Sequence, residues 1–401
     1  MEFEKITGIE ERGETVIKVK SEYKICTRCI MDTTDPEIVF DENGYCNHCR
    51  WYYANVNKIV FKGDDAEKRL NQIVEEIKAN RRGEYDGIIG LSGGVDSSHA
   101  IVKTVELGLK PLAVHFDSGW NSELAVKNIE NLVRKLNVDL YTFVIDWEEM
   151  RDLQKSFFYA SVANADVPQD HAIFAALWKI AEEKKISYII SGSNYATECI
   201  LPTEWGYDSK DSKHLKAIHK KFGSLKLKKY PTMSFFKLYI YCPYIKRIKS
   251  IPILNYMPYV KKEAMKILEN EFGWRYYGGK HYESVFTRFF QGYYLPAKFG
   301  YDKRKAHLSS LIVSGQMTRD EALEEMKQNY YTEEKIREDK TFILKKLGLT
   351  EEEFAKIMSL PKKTFRDYPS NYMLQTFFNR YTHLFGRFLR SIKTNLISKS
   401  S

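Results

Sequence analysis

The sequence predicts an α/β protein built on a doubly wound parallel sheet, with a four-cysteine ribbon before it and a mainly helical region after it. Three observations predict this. Short apolar runs alternate with helix-period segments from about residue 64 to residue 190, which is how parallel strands joined by crossover helices read. Two C-x-x-C pairs stand upstream of that pattern, and beyond residue 260 the helical period takes over. A chain of 401 residues has room for two or three domains and a substantial core. The expected divisions are an arm and ribbon over 1–62, the sheet domain over 63–206, and a basic, aromatic insertion followed by helices over 207–401.

Residues 1–20 alternate weakly and carry no assigned chemistry. Cys26-Thr-Arg-Cys29 and Cys46-Asn-His-Cys49 are separated by 16 residues. That spacing suits two knuckles giving four thiolates to one tetrahedral zinc ion. Asn43-Gly44 supplies a tight turn before the second knuckle. Four thiolates leave no open coordination position, so the expected zinc site is structural. A redox dithiol pair and an iron–sulfur cluster are the competing readings. His48 reads as a surface residue and not a ligand.

Asp64 to Arg82 reads as a helix with Leu70, Ile73, Val74 and Ile77 on its apolar face. Asp86–Leu91 is the first strand, and a helix opens near Asp96 and stops at Gly108. Lys110–Asp117 is a second strand, Ser122–Leu136 a helix, and Val138–Ile145 a third strand. Helices around Trp147–Ala160 and Gln169–Glu183 lead to a fourth strand at Ile186–Ile190. Tyr207 to Tyr259 is rich in Lys and aromatics, and four prolines break its regularity. Lys261–Glu271 is helical, Thr318 and Glu321 form a capping box, and Thr332–Leu347 and Thr350–Met358 are further helices. Asn371–Ile397 reads as a basic amphipathic helix, packed on the body or a partner or resting weakly on a membrane surface.

The charge is uneven. Segments 212–262 and 368–401 hold 18 of the 62 Lys and Arg residues and no acid, which leaves the rest of the chain net acidic. Such patches suit phosphates, anionic sugars, nucleic acid or a membrane face. The absence of a secretory leader and of a long apolar run leads to the expectation of a cytoplasmic enzyme.

The most informative stretch is Leu91-Ser-Gly-Gly-Val-Asp-Ser-Ser98. A strand, a glycine turn and a helix start place unpaired N–H groups and a positive dipole end around one point, which attracts phosphate. No Gly-Lys-Ser/Thr follows, so this is not a Walker A loop. It resembles the SGGxDS loop of the ATP pyrophosphatases, the PP-loop superfamily with its adenine nucleotide alpha hydrolase-like fold. In parallel sheets ligands sit beyond the carboxyl ends of the strands. Asp117-Ser118 and Gly192-Ser193-Asn194 also fall at strand ends and are expected to converge with the loop.

From Cys26 through LSGGVDSS to YYGGKHYES, TRFFQGYYLPAKFGYDKRKAHLSSLI and SGQMTRDEAL, the chain resembles the N-acetyl sugar amidotransferases of surface polysaccharide and nonulosonic acid pathways. The resemblance implies conversion of a sugar acetamido group to an acetamidino group through an adenylated imidate, with AMP and pyrophosphate released. It implies ATP, Mg2+ and Zn2+ as cofactors, with the zinc on Cys26, Cys29, Cys46 and Cys49. Ser92, Gly93, Gly94, Val95, Asp96, Ser97 and Ser98 would hold the pyrophosphate and magnesium. His115, Phe116, Asp117 and Ser118 would border the adenosine, and Gly192, Ser193 and Asn194 the α-phosphate, with Glu198 beside them. Lys280, His281 and Arg288, with Asp96, Ser92 and Asn194, are the catalytic candidates. Asp170, His171, Glu283, Lys298, Lys303, Arg304 and His307 are candidates for the nucleotide-linked or free acidic sugar, with an N-cap the other reading of Asp170. The chain starts Met-Glu and shows no Cys-His-Glu glutaminase pattern, so ammonia is expected from solution or from a separate glutaminase and cyclase-like pair, and no nucleic acid partner is expected. The alternative is a tRNA thiolation enzyme of the same superfamily, its basic tracts on tRNA phosphates; a scaffold that binds ATP without turnover is the non-catalytic alternative.

Overall fold

A computed structural model describes residues 22–279 and 282–378. The chain begins with the two cysteine knuckles, the second of which opens helix α1 (Asn47–Asn55), followed by α2 (Gly63–Ala79). The sheet domain then runs β1 (Gly87–Leu91), α3 (Val95–Glu106), β2 (Pro111–Asp117), α4 (Glu123–Leu136), β3 (Leu140–Val144), α5 (Trp147–Ala160), α6 (Val167–Glu183) and β4 (Tyr188–Ser191). These elements lie where apolar periodicity placed them, within a few residues.

The strand order is β3-β2-β1-β4, and every pairing is parallel. A fifth strand, β5 (Lys249–Pro252), pairs parallel with β4, so the sheet draws on chain beyond residue 206. Its four residues, with Lys249 and Ser250 exposed, leave no apolar run to read. The same Lys-rich tract holds another unforeseen helix, α7 (Ser212–Phe222), and a ten-residue π-helix, Lys237–Lys246, with Pro243 inside it.

Alternation along the strands separates two layers. Ile89, Ala113 and Ile190 pack with Leu70, Val74 and Ile77 of α2, Ile101 of α3, Ile129 of α4 and Leu268 of α8 (Lys261–Phe272). Ile88, Leu112, Val114 and Ile189 face the other way, against Ala175, Trp178 and Ile180 of α6. The sheet is therefore covered on both faces, which is why β1, β2 and β4 read as near-continuous apolar runs.

The C-terminal region consists of α9 (Val285–Phe289), which continues as a π-helix over Phe290–Phe299, and then α10 (Lys303–Val313), α11 (Arg319–Lys327), α12 (Glu333–Leu347) and α13 (Glu351–Ser359). Phe286, Phe289, Phe290, Ile343 and Phe354 form its core and enclose Trp120 and Phe158 from the sheet domain. Backbone bonds from Ser122 N to the Glu283 carbonyl (2.8 Å) and from Val285 N to the Trp120 carbonyl (2.9 Å) stitch the two together. Of the expected terminal helix, residues 372–378 are helical, with Met373, Leu374 and Phe377 exposed. Phe378 packs its ring on Phe235 and Tyr239. The rest of that expectation, like that for residues 1–20, lies outside the described residues. Among the described residues no helix is long and apolar enough to cross a membrane.

Candidate active site and metal centre

The sheet order places the switch in winding direction between β1 and β4, where crossover connections leave a crevice above the strand ends. A cavity of about 800 Å3 opens there. Its walls include Ser92, Gly94, Val95, Asp96 and Ser97 from the turn after β1, Phe116 and Ser118 from β2, and Gly192, Ser193 and Glu198 after β4. Asp170, Glu283, Lys303 and His307 complete the expected set that lines it.

Close backbone approach explains the glycines. Gly93 has φ +81°, and a Cβ there would meet the Ala125 carbonyl oxygen at 2.7 Å. A Cβ on Gly192 would strike the Asp96 carbonyl and the Ser97 nitrogen at 2.8 Å. The tip of β4 thus rests directly on the first turn of α3, and only glycine fits. Ser92 Oγ accepts from Gly94 N (3.1 Å) and contacts Ser97 Oγ (3.2 Å), which shapes the turn around its own hydroxyls. The donors of this cradle, backbone amides at a helix N-terminus and small hydroxyls, are of a kind that suits a phosphate chain, and the Tyr277 hydroxyl and a Glu283 carboxylate oxygen stand beside Gly94 at its edge. Asp96 fits a magnesium ligand in kind, since it offers carboxylate oxygens at the cavity wall.

Several supporting residues carried no signal in sequence. Trp274 Nε1 donates to the Gly93 carbonyl (2.8 Å) and anchors the turn from beneath. Tyr259 donates its hydroxyl to Asp96 Oδ1, and Thr197 Oγ1 reaches Asp96 Oδ2 at 3.4 Å. Burial and the neighbouring Asp96 charge push the Tyr259 phenol far above its ordinary range, so it stays a donor. Tyr276, Tyr277, Asp166, Gln169, Thr287 and Lys261 also line the cavity. The density of aromatics in 273–284 was the one available hint.

Other expected residues stand elsewhere. Ser98 is wholly buried. His115 lies beneath the cavity, its Nδ1 on the Leu91 carbonyl (3.4 Å) and its Nε2 on Asn121 (3.3 Å). Asp117 turns back to accept from Gly119 N (2.8 Å). Asn194 is buried and builds its own turn, donating to the Gly192 carbonyl and accepting from Thr197 N (2.8 Å).

His171 is a correction: it is fully buried, donates from Nδ1 to the Ser209 carbonyl (2.7 Å) and accepts from Met233 N at Nε2 (3.1 Å), so it is a neutral structural residue. Arg288 is also corrected, because Asp339 holds its guanidinium in a two-pronged ion pair (2.7 and 2.9 Å). Lys298 is buried and spends its ammonium on the Ile357, Met358 and Leu360 carbonyls at the end of α13. Arg304 pairs with Asp302 and donates to the Gln328 carbonyl (2.9 Å). The helix that Asp170 was expected to cap starts four residues earlier, and Asp170 sits in its first turn. Lys280 and His281 lie outside the described residues.

The four cysteines meet as a metal-binding cluster. Their sulfurs lie within 4.8 Å of one another, with Cys26–Cys49 at 4.0 Å and Cys29–Cys46 at 3.7 Å. Backbone N–H groups of Arg28, Cys29, Met31, Cys46 and Cys49 point at the sulfurs (3.3–3.5 Å). This is a donor set that stabilises thiolate charge, and the sulfur spacing matches a tetrahedral ion with metal–sulfur bonds of about 2.3 Å. Gly44, at φ +77°, makes the turn that brings the second knuckle back. His48 bonds Asp35 (2.7 Å) and faces away from the cluster.

With this geometry in place, residues 283–382 match the family model described as LPS biosynthesis protein WbpG-like, C-terminal domain. The matched segment, about a quarter of the chain, is similar to that domain. It supplies Glu283, Lys303 and His307 to the cavity, while the parallel sheet supplies the glycine turn after β1. No curated protein matches the chain. Solved structures do so distantly. The NMN synthetase from Francisella tularensis is 23% identical over 34% of this chain and 56% of its own length, with a TM-score of 0.28. The NH3-dependent NAD synthetase from Campylobacter jejuni is 19% identical over 51% of this chain and 81% of its own, TM-score 0.28. The U34-tRNA thiolase NcsA from Methanococcus maripaludis, solved with its [4Fe-4S] cluster, is 14% identical over 80% and 88%, TM-score 0.31.

Proposed function

We propose that the protein is an ATP-dependent, AMP-forming amidotransferase that converts an acetamido group of a nucleotide-linked or acidic sugar to acetamidino, with zinc in the cysteine cluster as a structural ion. The observation that carries this reading is the meeting, in one cavity, of the Ser92–Ser97 turn with Glu283, Lys303 and His307 of the WbpG-like domain. Bound MgATP supplies an adenylyl group that turns an inert amide oxygen into a leaving group. The chain's own part is position and charge. The turn and first amides of α3 receive the polyphosphate, Asp96 faces its metal, Phe116 and Phe174 offer apolar surface to the base, and the C-terminal wall holds the sugar. Nothing in this arrangement calls for an enzyme nucleophile. Ammonia arrives from a separate glutaminase and cyclase-like pair in this reading.

The test is mass spectrometry of N-acetylated nucleotide sugars and acidic sugars incubated with protein, ATP, magnesium and ammonium. Exchange of oxygen for NH lowers the sugar mass by about one dalton at the gain of one AMP and one pyrophosphate per turnover. Ammonium supports the reaction and glutamine alone does not. Unchanged sugar in every case, with sulfur incorporated into tRNA under thiolation conditions, overturns the proposal in favour of the thiolase reading.

A further inference from the structure

Asp166 was not singled out by its sequence context, yet it is the most unusual acid in the cavity. It precedes α6, lines the cavity wall and is only 3% exposed. Its Oδ2 accepts from Thr287 Oγ1 at 2.7 Å, while its buried Oδ1 has no hydrogen-bond partner among the described residues. An ionised carboxylate with one bare buried oxygen would be costly, and a neutral acid much less so.

A chain of bonds fixes where the hydrogen sits. The Trp120 backbone N–H, which can only donate, gives to Ser118 Oγ (3.4 Å). Ser118 therefore donates onward to Gln169 Oε1 (2.8 Å). Gln169 Nε2 donates to Thr287 Oγ1 (3.0 Å), so the Thr287 hydroxyl points its hydrogen at Asp166 Oδ2. Oδ2 is thereby an acceptor, and a hydrogen on Asp166 belongs on Oδ1.

The charges around it are Asp170 on α6, Glu283 ahead of α9 and Lys303 on α10. Burial first, then the Asp170 charge, hold the Asp166 carboxyl up at about 8; Glu283 adds to this, and the Thr287 bond and Lys303 oppose it. Below that pH the group is neutral.

We propose that Asp166 is a specificity-determining residue whose Oδ1–H, all but closed off from solvent in the unliganded protein, is uncovered by a small shift of the cavity wall when substrate binds and donates to an uncharged acceptor oxygen of it, a ring hydroxyl or amide carbonyl. This rests on the sugar-modifying reading above. The neutral acid lets a substrate that carries its own carboxylate or phosphate lie beside Asp170 and Glu283 without a third like charge. It also predicts that an amide can replace the acid, because the side chain introduced by Asp166→Asn would offer N–H where Asp166 offers O–H.

The decisive measurements are infrared difference spectroscopy and pH-dependent kinetics on wild type, Asp166→Asn and Asp166→Ala. In the wild type a protonated-carboxyl stretch is present at pH 7, fades with a midpoint near pH 8, and is absent from Asp166→Asn. With the acetamido sugar that turns over, Asp166→Asn keeps kcat/KM within about threefold at pH 7 and does not show the fall above pH 8. Asp166→Ala raises KM tenfold or more with little change in kcat. Asp166→Asn as inactive as Asp166→Ala overturns the proposal, since it means the carboxylate acts as a base or cation ligand. Absence of the carboxyl band at pH 7 also overturns it. The infrared readout needs no turnover, so failure of the sugar reaction alone leaves Asp166's protonation separately decided.

Discussion

At the scale of single residues, chemistry visible in sequence and chemistry made by folding divide cleanly. The glycine turn after β1 and its place at the cavity were legible because a strand, small residues at fixed spacing and a helix start specify such a turn, although Ser98 at its end is wholly buried. Tyr259 was not legible, because nothing in its proline-broken tract points toward a residue 163 positions away. Arg288 and Lys298 misled for the converse reason. A cation beside aromatics looks the same in sequence whether it serves a ligand, Asp339 or the end of α13. The Tyr259–Asp96 bond offers a test. Tyr259→Phe removes a donor from a carboxylate whose other oxygen has the long Thr197 contact, at 3.4 Å. Loss of one hydrogen bond to a charged group costs about 1.5–3 kcal/mol. Much of that is expected in catalysis, because Asp96 is freed to turn from the polyphosphate. Pyrophosphate release at saturating sugar should fall about tenfold while the melting temperature shifts by only a few degrees. Unchanged turnover would remove Tyr259 from the site.

At the scale of elements, those with a clean period were placed from sequence to within a few residues, and those whose stability comes from neighbours were not. Helix α7 is the clearest case. Its sequence is mostly Lys and His, but Asp211 caps it, accepting from Lys213 N and His214 N while binding the Tyr207 hydroxyl (2.6 Å). That cap aims His214 inward among Phe157, Tyr207 and Tyr368, where its Nδ1 has no partner among the described residues. Burial drives the His214 imidazole down to about 4, against a weaker upward pull from Asp211. The unfolded chain binds a proton near pH 6.5 and the folded chain does not until about pH 4. Stability is therefore lost as pH falls through this window, by up to about 3 kcal/mol from this residue. His99, driven to about 4 by the same cause, adds its own share. His214→Phe keeps the aromatic packing without the titration. Its denaturant midpoint should decline less than that of wild type between pH 6.5 and pH 4.5, and parallel curves would show that His214 is not the group involved.

At the scale of the whole molecule, the metal cluster and the cavity are coupled through α10. Ser309 Oγ accepts from Ile30 N beside the first knuckle (3.2 Å), and the next residue, Ser310, accepts from Ile200 N in the segment after β4 (3.1 Å). The same helix carries Lys303 and His307 into the cavity. Arg319, at the start of α11, donates to the carbonyls of Cys26 (3.3 and 3.2 Å) and Cys29 (3.1 Å), and Lys305 pairs with Asp32. Cys26, Cys29, Cys46 and Cys49 pack in one core with Ile200, Trp205, Ala306 and Val313. None of this was readable from the C-x-x-C spacing, which specifies the ligands of an ion but not the surface on which the ribbon rests. The cluster therefore acts as a clamp on one wall of the cavity although it contributes no residue to it. Four buried thiolates without an ion repel one another, and opening the knuckles releases Ile30 from Ser309 and both cysteine carbonyls from Arg319. Removal of the metal by a strong chelator is expected to weaken binding of MgATP at least tenfold, measured by calorimetry on the full chain. Restoration of zinc should restore it, and Cys49→Ser should reproduce the loss without chelator. An ion confined to a local structural task would give the opposite pattern: a lower melting temperature with nucleotide affinity intact well below the transition.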